Sequence, residues 1–332
     1  MTLQQRVVLL ERLGNYLAAK NDSWEKIKSK AAYENAWFIP EFINYQLSQI
    51  ATSYLAPDAL RNWVAEYNLP EVNPSPKLVG LVMAGNIPLA GFHDLLSTFI
   101  AGHRMLIKTS SKDGVLIPAL IDVLNSLDPA SGPYFSIAPR LTGCDAYIAT
   151  GSNNSSRYFE YYFGRYPHII RRNRTSVAVL TGNETIEDLT SLADDVYLYF
   201  GLGCRNVTKL LVPPGYEFFS LLESFKKYDY LSDHNKYRNN YDYQLAVLQI
   251  NRVYYMTNGS IILQENKSVF SPVSQLHFEY CPDPASEASQ LASGSEIQCV
   301  VGKGFIPFGK AQQPTLNEYA DQADTLKFLL AL

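Results

Sequence analysis

The sequence contains few cysteines, and the four in its 332 residues are Cys144, Cys204, Cys281 and Cys299. They lie far apart, without the CxxC pairs or Cys/His clusters that are typical of structural zinc sites. We therefore expect no metal centre. A disulfide framework is not expected either, because isolated cysteines stay reduced in a reducing compartment.

Long apolar segments are also missing. No run of about 18 uncharged apolar residues occurs, so we expect no transmembrane helix. The first residues, MTLQQRVVLLERLGNYLAAK, lack the continuous apolar segment of a signal peptide, which predicts a cytoplasmic protein. The net charge is −4, which provides no general attraction to nucleic acid.

The hydrophobic pattern changes near residue 70. Residues 1–70 have apolar side chains at helical spacing and are predicted to be helices. After the proline-rich linker NLPEVNPSPK, amphipathic helices alternate with apolar strands, and the predicted strands are KLVGLVMAG, RMLIKTSS, DAYIATGS and TSVAVLTG. This alternation is typical of a parallel sheet that is covered by helices on both faces and binds ligands at the carboxyl ends of its strands.

The second half of the chain predicts a further α/β region. The helix IEDLTSLADDVYLYF leads into the segment around Cys204, and the strands predicted after it are KLLVP, VYYMTNG and SIILQE. The Tyr- and Asn-rich stretch KKYDYLSDHNKYRNNYDYQ is predicted to be a surface excursion. A chain of this length most simply forms two lobes.

Cys204 is the most informative single residue. It lies in YFGLGCRNVTKLLVP, between a glycine-rich turn and an apolar run. Gly201 and Gly203 permit positive φ angles and the close approach of a substrate. Polar residues after the cysteine, among them Arg205 and Asn206, are able to orient a thiolate. The local pattern fits a reactive thiolate, and it also fits a small buried hydrophobe.

Polar residues also follow the predicted strands of the first half. Lys108 and the serines after it suit a ribose or a phosphate, although a surface lysine has the same pattern. The turn ATGS at 149–152 offers backbone N–H groups to an anion, although a turn needs its glycine in any case. Asn86 is either a turn residue or a donor to an oxyanion. IPFGKAQQP near the C-terminus is either a plain loop or a rim over the substrate.

These segments, taken in order, resemble the aldehyde dehydrogenase superfamily. The segments that carry the resemblance, from about Lys77 onward, are AGNIPLAGFHD, IKTSSKD, IATGSNNSS, GLGCRNVTKLLVP, VFSPV and IPFGKAQQP. The sequence is most similar to the acyl-CoA reductase branch, which includes the fatty-acid reductase subunit of bacterial bioluminescence. The resemblance implies an α/β fold with two lobes, each with a mainly parallel sheet flanked by helices, preceded by an N-terminal helical segment.

The resemblance also implies roles for individual residues. Cys204 corresponds to the family's nucleophile, and Asn86 corresponds to the amide that forms the oxyanion hole together with the backbone N–H of the cysteine. Phe270 lies in the segment that flanks the nicotinamide ribose. The implied cofactor-binding set, for NADPH or NADH, is Lys108, Ser110, Ser111, Thr150, Gly151, Ser152 and Phe270.

The sequence departs from the family at three glutamates. The segment HIIRRNRTSVAVL has no carboxylate where the family has its general base, so water activation is disfavoured and hydride reduction of a thioester is favoured. Ser111 replaces a glutamate that would repel a 2′-phosphate, which favours NADPH. Ser268 replaces a glutamate that anchors the ribose. The residues near the missing base, His168, Arg172 and Arg174, are either catalytic support or a solvated, salt-bridged edge.

The resemblance implies four regions: an N-terminal helical segment (1–70), a nucleotide-binding domain (71–180), a catalytic domain with the cysteine (181–303) and a C-terminal segment that returns to the cofactor lobe (304–332). The expected function is NAD(P)H-dependent reduction of an acyl-CoA or other acyl thioester to an aldehyde. An acyltransferase or thioesterase that uses the same cysteine, or a non-catalytic scaffold, remains open. A homo-oligomer or a partner acyl-activating protein is also open.

Overall fold

The structure, a computed structural model, describes residues 1–19 and 22–332. The chain forms two units, one of Met1–Asn173 with Pro314–Leu332 and one of Arg174–Gln313. Every helix in the described part of the chain is too short or too polar to cross a membrane.

The N-terminal region of the first unit is helical. Thr2 begins the first helix, because its side chain accepts a hydrogen bond from the backbone N–H of Gln5 and the Gln5 side chain accepts one in return. A π-helical turn, Ile50–Tyr54, follows the third helix. The four helices are α1 (Leu3–Ala18), α2 (Asp22–Glu34), α3 (Pro40–Gln49) and α4 (Pro57–Ala65).

The first sheet has five parallel strands in the order β3-β2-β1-β4-β5. They are β1 (Leu78–Val82), β2 (Arg104–Lys108), β3 (Phe135–Ile137), β4 (Ala146–Thr150) and β5 (His168–Arg171). The helices between them are α5 (Phe92–Ile100), α6 (Leu116–Leu127) and α7 (Asn153–Phe163). Parallel pairing brings the carboxyl ends of neighbouring strands to one edge, which is where the sequence places its polar residues.

The N-terminal helices share one core with this sheet. Leu10 of α1, Trp63 of α4 and Phe99 of α5 belong to the same buried apolar cluster. Arg6 is also buried, and its guanidinium donates to the carbonyl of Ile100 over 3.0 Å. Residues 1–70 are therefore part of the fold of the first unit.

The second sheet has six strands in the order β11-β6-β7-β10-β9-β8, all parallel except for β8, which is antiparallel to β9. They are β6 (Thr175–Val179), β7 (Val207–Val212), β8 (Met256–Thr257), β9 (Ile262–Glu265), β10 (Gln275–Tyr280) and β11 (Ile297–Gly302). The helices of this unit are α8 (Ile186–Tyr197), α9 (Phe219–Ser224), α10 (Asn235–Ile250) and α11 (Pro284–Ala292). The predicted α/β class, with mainly parallel sheets flanked by helices, is confirmed.

Two segments differ from what the sequence pattern indicates. Strand β6, assigned to the nucleotide-binding region 71–180, pairs with β7 and β11 in the second sheet, where all five of its residues are buried. The Tyr-rich stretch is not a surface excursion. It includes the first part of α10, whose Tyr237 is buried and donates its hydroxyl proton to the carbonyl of Ser260 over 2.8 Å.

The C-terminal helix α12 (Thr325–Leu330), which belongs to the first unit, is hydrogen-bonded to a member of a buried ion pair. Arg171, at the end of β5, lies 2.6 Å from the Asp94 carboxylate of α5 and donates to the Thr325 hydroxyl over 2.8 Å. Both charged residues are buried. Removal of one partner from a buried pair leaves the other charge desolvated, which is more costly than loss of an exposed pair.

Replacement of Asp94 by alanine is expected to lower the free energy of unfolding by about 3 kcal/mol. Urea titration checks this, and the matched control is Glu160→Ala, which removes the partner of exposed Arg172 and is expected to cost less than about 1 kcal/mol. Equal losses in the two variants would contradict the role of the buried pair. Tryptophan fluorescence reports on this unit, because all tryptophans lie in it: Trp24, Trp37 and Trp63.

Candidate active site

Three candidate residues of the first unit lie at the carboxyl edge of its sheet. Lys108 ends β2, Thr150 ends β4, and Asn86 lies in the loop after β1, the strand between them. The Lys108 side chain is exposed, and it has no ion-pair partner among the residues that the structure describes. This edge therefore presents an amide, a hydroxyl and a cation.

The loop that carries Asn86 is hydrogen-bonded to the buried carboxylate of Asp113. Leu89, three residues after Asn86, has a φ of 55°, which is uncommon for a residue with a side chain. Its backbone N–H donates to Asp113 Oδ2 over 3.0 Å, and the N–H of Leu116 donates to Oδ1 over 3.1 Å. Burial raises the pKa of Asp113 to about 6. Sequence reasoning did not identify Asp113, because nothing in the motif distinguishes it from a surface acid.

The Asn86 loop also fits closely against the serines after β2. A Cβ at Gly85 would lie 2.6 Å from Ser110 Oγ, so only glycine is accommodated there. Ser110 Oγ accepts a hydrogen bond from the backbone N–H of Lys112. Ser111 is exposed. The two loops therefore form one surface, on which Ser111 and Lys108 are available to a ligand.

The turn at Thr150–Ser152 joins β4 to α7. A Cβ at Gly151 would lie 2.8 Å from the Phe159 ring, so the glycine permits the helix to pack against the strand end. The backbone N–H of Gly151 already donates to the carbonyl of Arg171 over 3.3 Å, so it is not a free donor as the sequence suggested. Ser152 caps α7 by accepting from the N–H of Ser155.

Of the residues near the missing base, His168 and Arg172 belong to the first unit and Arg174 belongs to the second. His168 is exposed on β5, and its Nδ1 lies 2.8 Å from the carbonyl of Tyr166. Arg172 forms an exposed ion pair with Glu160. Arg174 belongs to the second unit, where it donates to the carbonyl of Ile297 over 3.2 Å. Catalytic support by these residues stays a prediction.

Cys204 lies on a constrained turn of the second unit. Helix α8 ends at Tyr197, and Tyr199, Phe200 and Gly201 then follow with φ angles of 56°, 57° and 73°. Consecutive left-handed residues with large side chains are costly, and they persist only where the surrounding structure holds them. Both aromatic side chains are buried.

Asn206 holds this turn. Its side chain is completely buried, and its Oδ1 accepts from the backbone N–H of Gly203 over 2.8 Å. Its Nδ2 donates to the carbonyls of Leu198 and Asp195 at the end of α8, over 2.8 and 3.0 Å. One amide, two residues after Cys204, thus bonds the residue before the cysteine and the end of α8. The sequence marked Asn206 only as a polar neighbour of the cysteine.

The four cysteines differ in their environments. Desolvation raises the thiol pKa of Cys144 and Cys281, and it raises that of Cys299 to about 11. These three thiols are therefore shifted away from the reactive thiolate. Cys204 is half-buried, and its backbone carbonyl accepts from the hydroxyl of Ser176 over 3.0 Å.

Asp195, at the end of α8, is a second buried polar group beside this turn. Its carboxylate accepts from the backbone N–H groups of Gly309 and Ala311, over 2.6 and 2.9 Å. Burial raises its pKa to about 7, although both hydrogen bonds favour the ionised form. Sequence reasoning missed this residue, because an acid inside a helix pattern is usually solvent-exposed.

The segment before Phe270 is held by polar side chains of β7 and by His277 of β10, whose Nδ1 lies 3.0 Å from the carbonyl of Ser268. The Nζ of Lys209 donates to the carbonyl of Lys267 over 2.7 Å. The hydroxyl of Thr208 donates to the carbonyl of Val269 over 2.6 Å. Ser268 Oγ accepts from the N–H of Phe270 over 3.2 Å. Phe270 packs against a buried apolar cluster of this sheet.

No family model matches the chain, and no curated protein does. Solved structures do match. An aldehyde dehydrogenase from Pseudomonas aeruginosa is 12% identical with a TM-score of 0.62, over 91% of this chain and 72% of that one. An acetylating aldehyde dehydrogenase from Geobacillus thermoglucosidasius is 10% identical with a TM-score of 0.63, over 91% and 76%. An NADP-dependent enzyme of E. coli is 12% identical with a TM-score of 0.64, over 91% and 73%. The chain has the aldehyde dehydrogenase fold.

The predicted aldehyde dehydrogenase-like architecture is thereby confirmed at the level of the fold. Identities this low carry no information on substrate, so the residues themselves must carry the functional argument. In the described part of this aldehyde dehydrogenase fold, no three His, Cys, Asp or Glu side chains lie close enough together to hold a metal ion.

Cys204 is expected to react with iodoacetamide about tenfold faster than the other three cysteines, because it lies on the constrained turn, whereas desolvation raises the thiol pKa of the other three. Peptide mapping after a short labelling pulse measures the four rates, and urea-denatured protein is the control in which the rates become similar. Uniform labelling in the native protein would contradict the assignment of Cys204.

Replacement of Asn206 by aspartate is expected to lower the free energy of unfolding by about 3 kcal/mol, because a carboxylate cannot donate to the carbonyls of α8. The same variant is expected to lose the enhanced labelling of Cys204. The matched control is Asn240→Asp, since Asn240 makes an exposed bond to the carbonyl of Lys236. A variant as stable and as reactive as the native protein would rule out this role of Asn206.

Proposed function

We propose that the protein reduces an acyl-CoA, or another acyl thioester, to an aldehyde with NADPH or NADH, through a thioester on Cys204. The observation that carries this proposal is the half-buried cysteine on a turn that Asn206 fixes, in a chain whose other three thiols are shifted away from the thiolate. The aldehyde dehydrogenase fold supports the same class of chemistry.

The chemistry of the chain's own residues follows from this placement. The Cys204 thiolate attacks the thioester carbonyl, and the CoA thiolate leaves with its electron pair. The backbone N–H of Cys204 is the proposed donor to the oxyanion, which requires charge stabilisation as it forms. A bound nicotinamide cofactor supplies the hydride that releases the acyl group as an aldehyde.

The fate of the acyl group depends on whether water is activated. The segment 168–180 contains no carboxylate. Asp195 lies beside the Cys204 turn, but each of its oxygens accepts a backbone N–H and its side chain is buried. Its pKa of about 7 would suit a general base, but its buried, fully hydrogen-bonded oxygens are not positioned to take a proton from water. Transfer of the acyl group to hydride is therefore favoured over hydrolysis.

The carboxyl edge of the first sheet fits a nicotinamide dinucleotide phosphate. Lys108 is an exposed cation at the end of β2, Ser111 is exposed beside it, and the turn at Thr150–Ser152 begins α7 at the same edge. These residues would hold the adenosine ribose and the phosphates. No acidic side chain lies between Lys108 and Lys112 to repel a 2′-phosphate, which favours NADPH over NADH.

Incubation of the protein with acyl-CoA and NADPH is expected to yield aldehyde and free CoA at the rate at which NADPH is consumed. Cys204→Ser is expected to lower this rate at least about 10³-fold, because the nucleophile is lost. Absorbance at the nicotinamide band measures the consumption of NADPH, a thiol reagent measures free CoA, and trapping measures the aldehyde. Without NADPH, release of CoA is expected to stop after one acyl group per cysteine.

The rival functions give different results in this assay. Continued release of CoA without NADPH would favour a thioesterase, and transfer to an added thiol or alcohol would favour an acyltransferase. If neither acylated cysteine nor aldehyde forms, the proposal is wrong and the interpretation as a non-catalytic scaffold is favoured.

A further inference from the structure

Residues 306–313, IPFGKAQQ, form a segment that is attached to α8, the helix that leads into the Cys204 turn. Gly309 has a φ of 77°, and a Cβ there would lie 3.2 Å from the carbonyl oxygen of Ser191 on α8. One turn further along α8, the Asp195 carboxylate accepts from the backbone N–H groups of Gly309 and Ala311. Ala311 is completely buried. Two hydrogen bonds to Asp195 therefore hold the segment against α8, and the close approach at Gly309 leaves no room for a side chain there.

The backbone of Asp195 has a second connection. Its carbonyl accepts from Asn206 Nδ2 over 3.0 Å, and Asn206 Oδ1 accepts from the N–H of Gly203. Asp195 thus contacts the segment through its side chain and the cysteine turn through its backbone. The two connections are separable, because a change of the side chain leaves the carbonyl in place.

The segment also carries a donor that the protein does not use. The side chain of Gln312 is 6% exposed, and its Nε2 has no hydrogen-bond partner among the described residues. A buried donor without a partner is costly, and a ligand that supplies an acceptor would remove this cost. An acyl thioester has suitable acceptors in its carbonyl and in the amides of its pantetheine arm.

We infer that Asp195 is a positioning residue that fixes the segment 306–313 for contact with the acyl-thioester substrate, independently of the Cys204 turn. This inference rests on the proposed function. It assigns to the segment the role of a substrate rim, with the Gln312 amide as the donor that it presents.

The test compares Asp195→Asn with native protein and with Asp194→Asn. An asparagine has one carbonyl oxygen for the two N–H groups, so one bond to the segment is lost. Asp194 is the matched control, because its side chain bonds to Lys227 and Tyr228 and not to the segment. Hydrogen exchange of the 306–313 amides is expected to rise about tenfold in Asp195→Asn and to remain unchanged in Asp194→Asn.

The KM for the acyl thioester is the measurement that a purely structural role of Asp195 would not change. Asp195→Asn is expected to raise KM for the acyl thioester about fivefold, to change kcat less than about twofold, and to leave the iodoacetamide rate of Cys204 unchanged. An unchanged KM together with faster exchange would overturn the substrate-positioning role. A parallel loss of Cys204 labelling would also overturn it, because Asp195 would then act through the turn.

A second variant disturbs the contact between the segment and α8 by a change in the segment itself. Gly309→Ala places a Cβ against Ser191 at a positive φ and leaves Asp195 intact, so it is expected to raise exchange and KM in the same way. It decides the question if Asp195→Asn does not fold. If native protein reduces no acyl thioester, the proposed function fails, whereas unchanged exchange in both variants would refute the Asp195 contact itself.

Discussion

The hydrogen bonds of the Asn206 side chain are the constraint on which the cysteine turn depends. Three consecutive left-handed residues follow α8, and two of them carry large aromatic side chains. Such a turn is unfavourable in isolation. It forms here because one buried amide joins the last carbonyls of α8 to the N–H of Gly203. The cysteine lies inside this closed loop, so its position is fixed by backbone geometry.

In the first unit, the loop of the candidate residue Asn86 is likewise held by a buried side chain that bonds to its backbone. Asp113 is buried beneath the Asn86 loop and accepts the N–H of Leu89, the one residue of that loop with a positive φ. In both units a buried acceptor is directed to the backbone next to a candidate catalytic group. A desolvated hydrogen bond of this kind is costly to break, which keeps the loop in one conformation and limits the reorganisation that chemistry would require.

Sequence reasoning predicted much of the fold and part of the site. Alternating apolar runs identified β1, β2 and β4, since strands buried on both faces have a continuous apolar signature. It did not predict β5 or β10, because HIIR and QLHFEY carry charged and polar residues that the structure pairs internally. It also misjudged Tyr237, because a buried tyrosine with a satisfied hydroxyl has the same sequence signature as an exposed one. The sequence did not identify Asp113 or Asp195 either, because Leu89, Gly309 and Ala311, whose N–H groups they accept, lie 24 or more residues away.

Ser268 illustrates how these findings combine. Its replacement of a glutamate removes a carboxylate that the resemblance assigns to ribose binding. The structure uses Ser268 for another purpose, the short turn to Phe270. Three successive carbonyls, of residues 267, 268 and 269, accept from Lys209, His277 and Thr208. Desolvation lowers the pKa of His277, which keeps it neutral with Nδ1–H as its donor to this carbonyl. Polar groups of β7 and β10 therefore fix the backbone before Phe270.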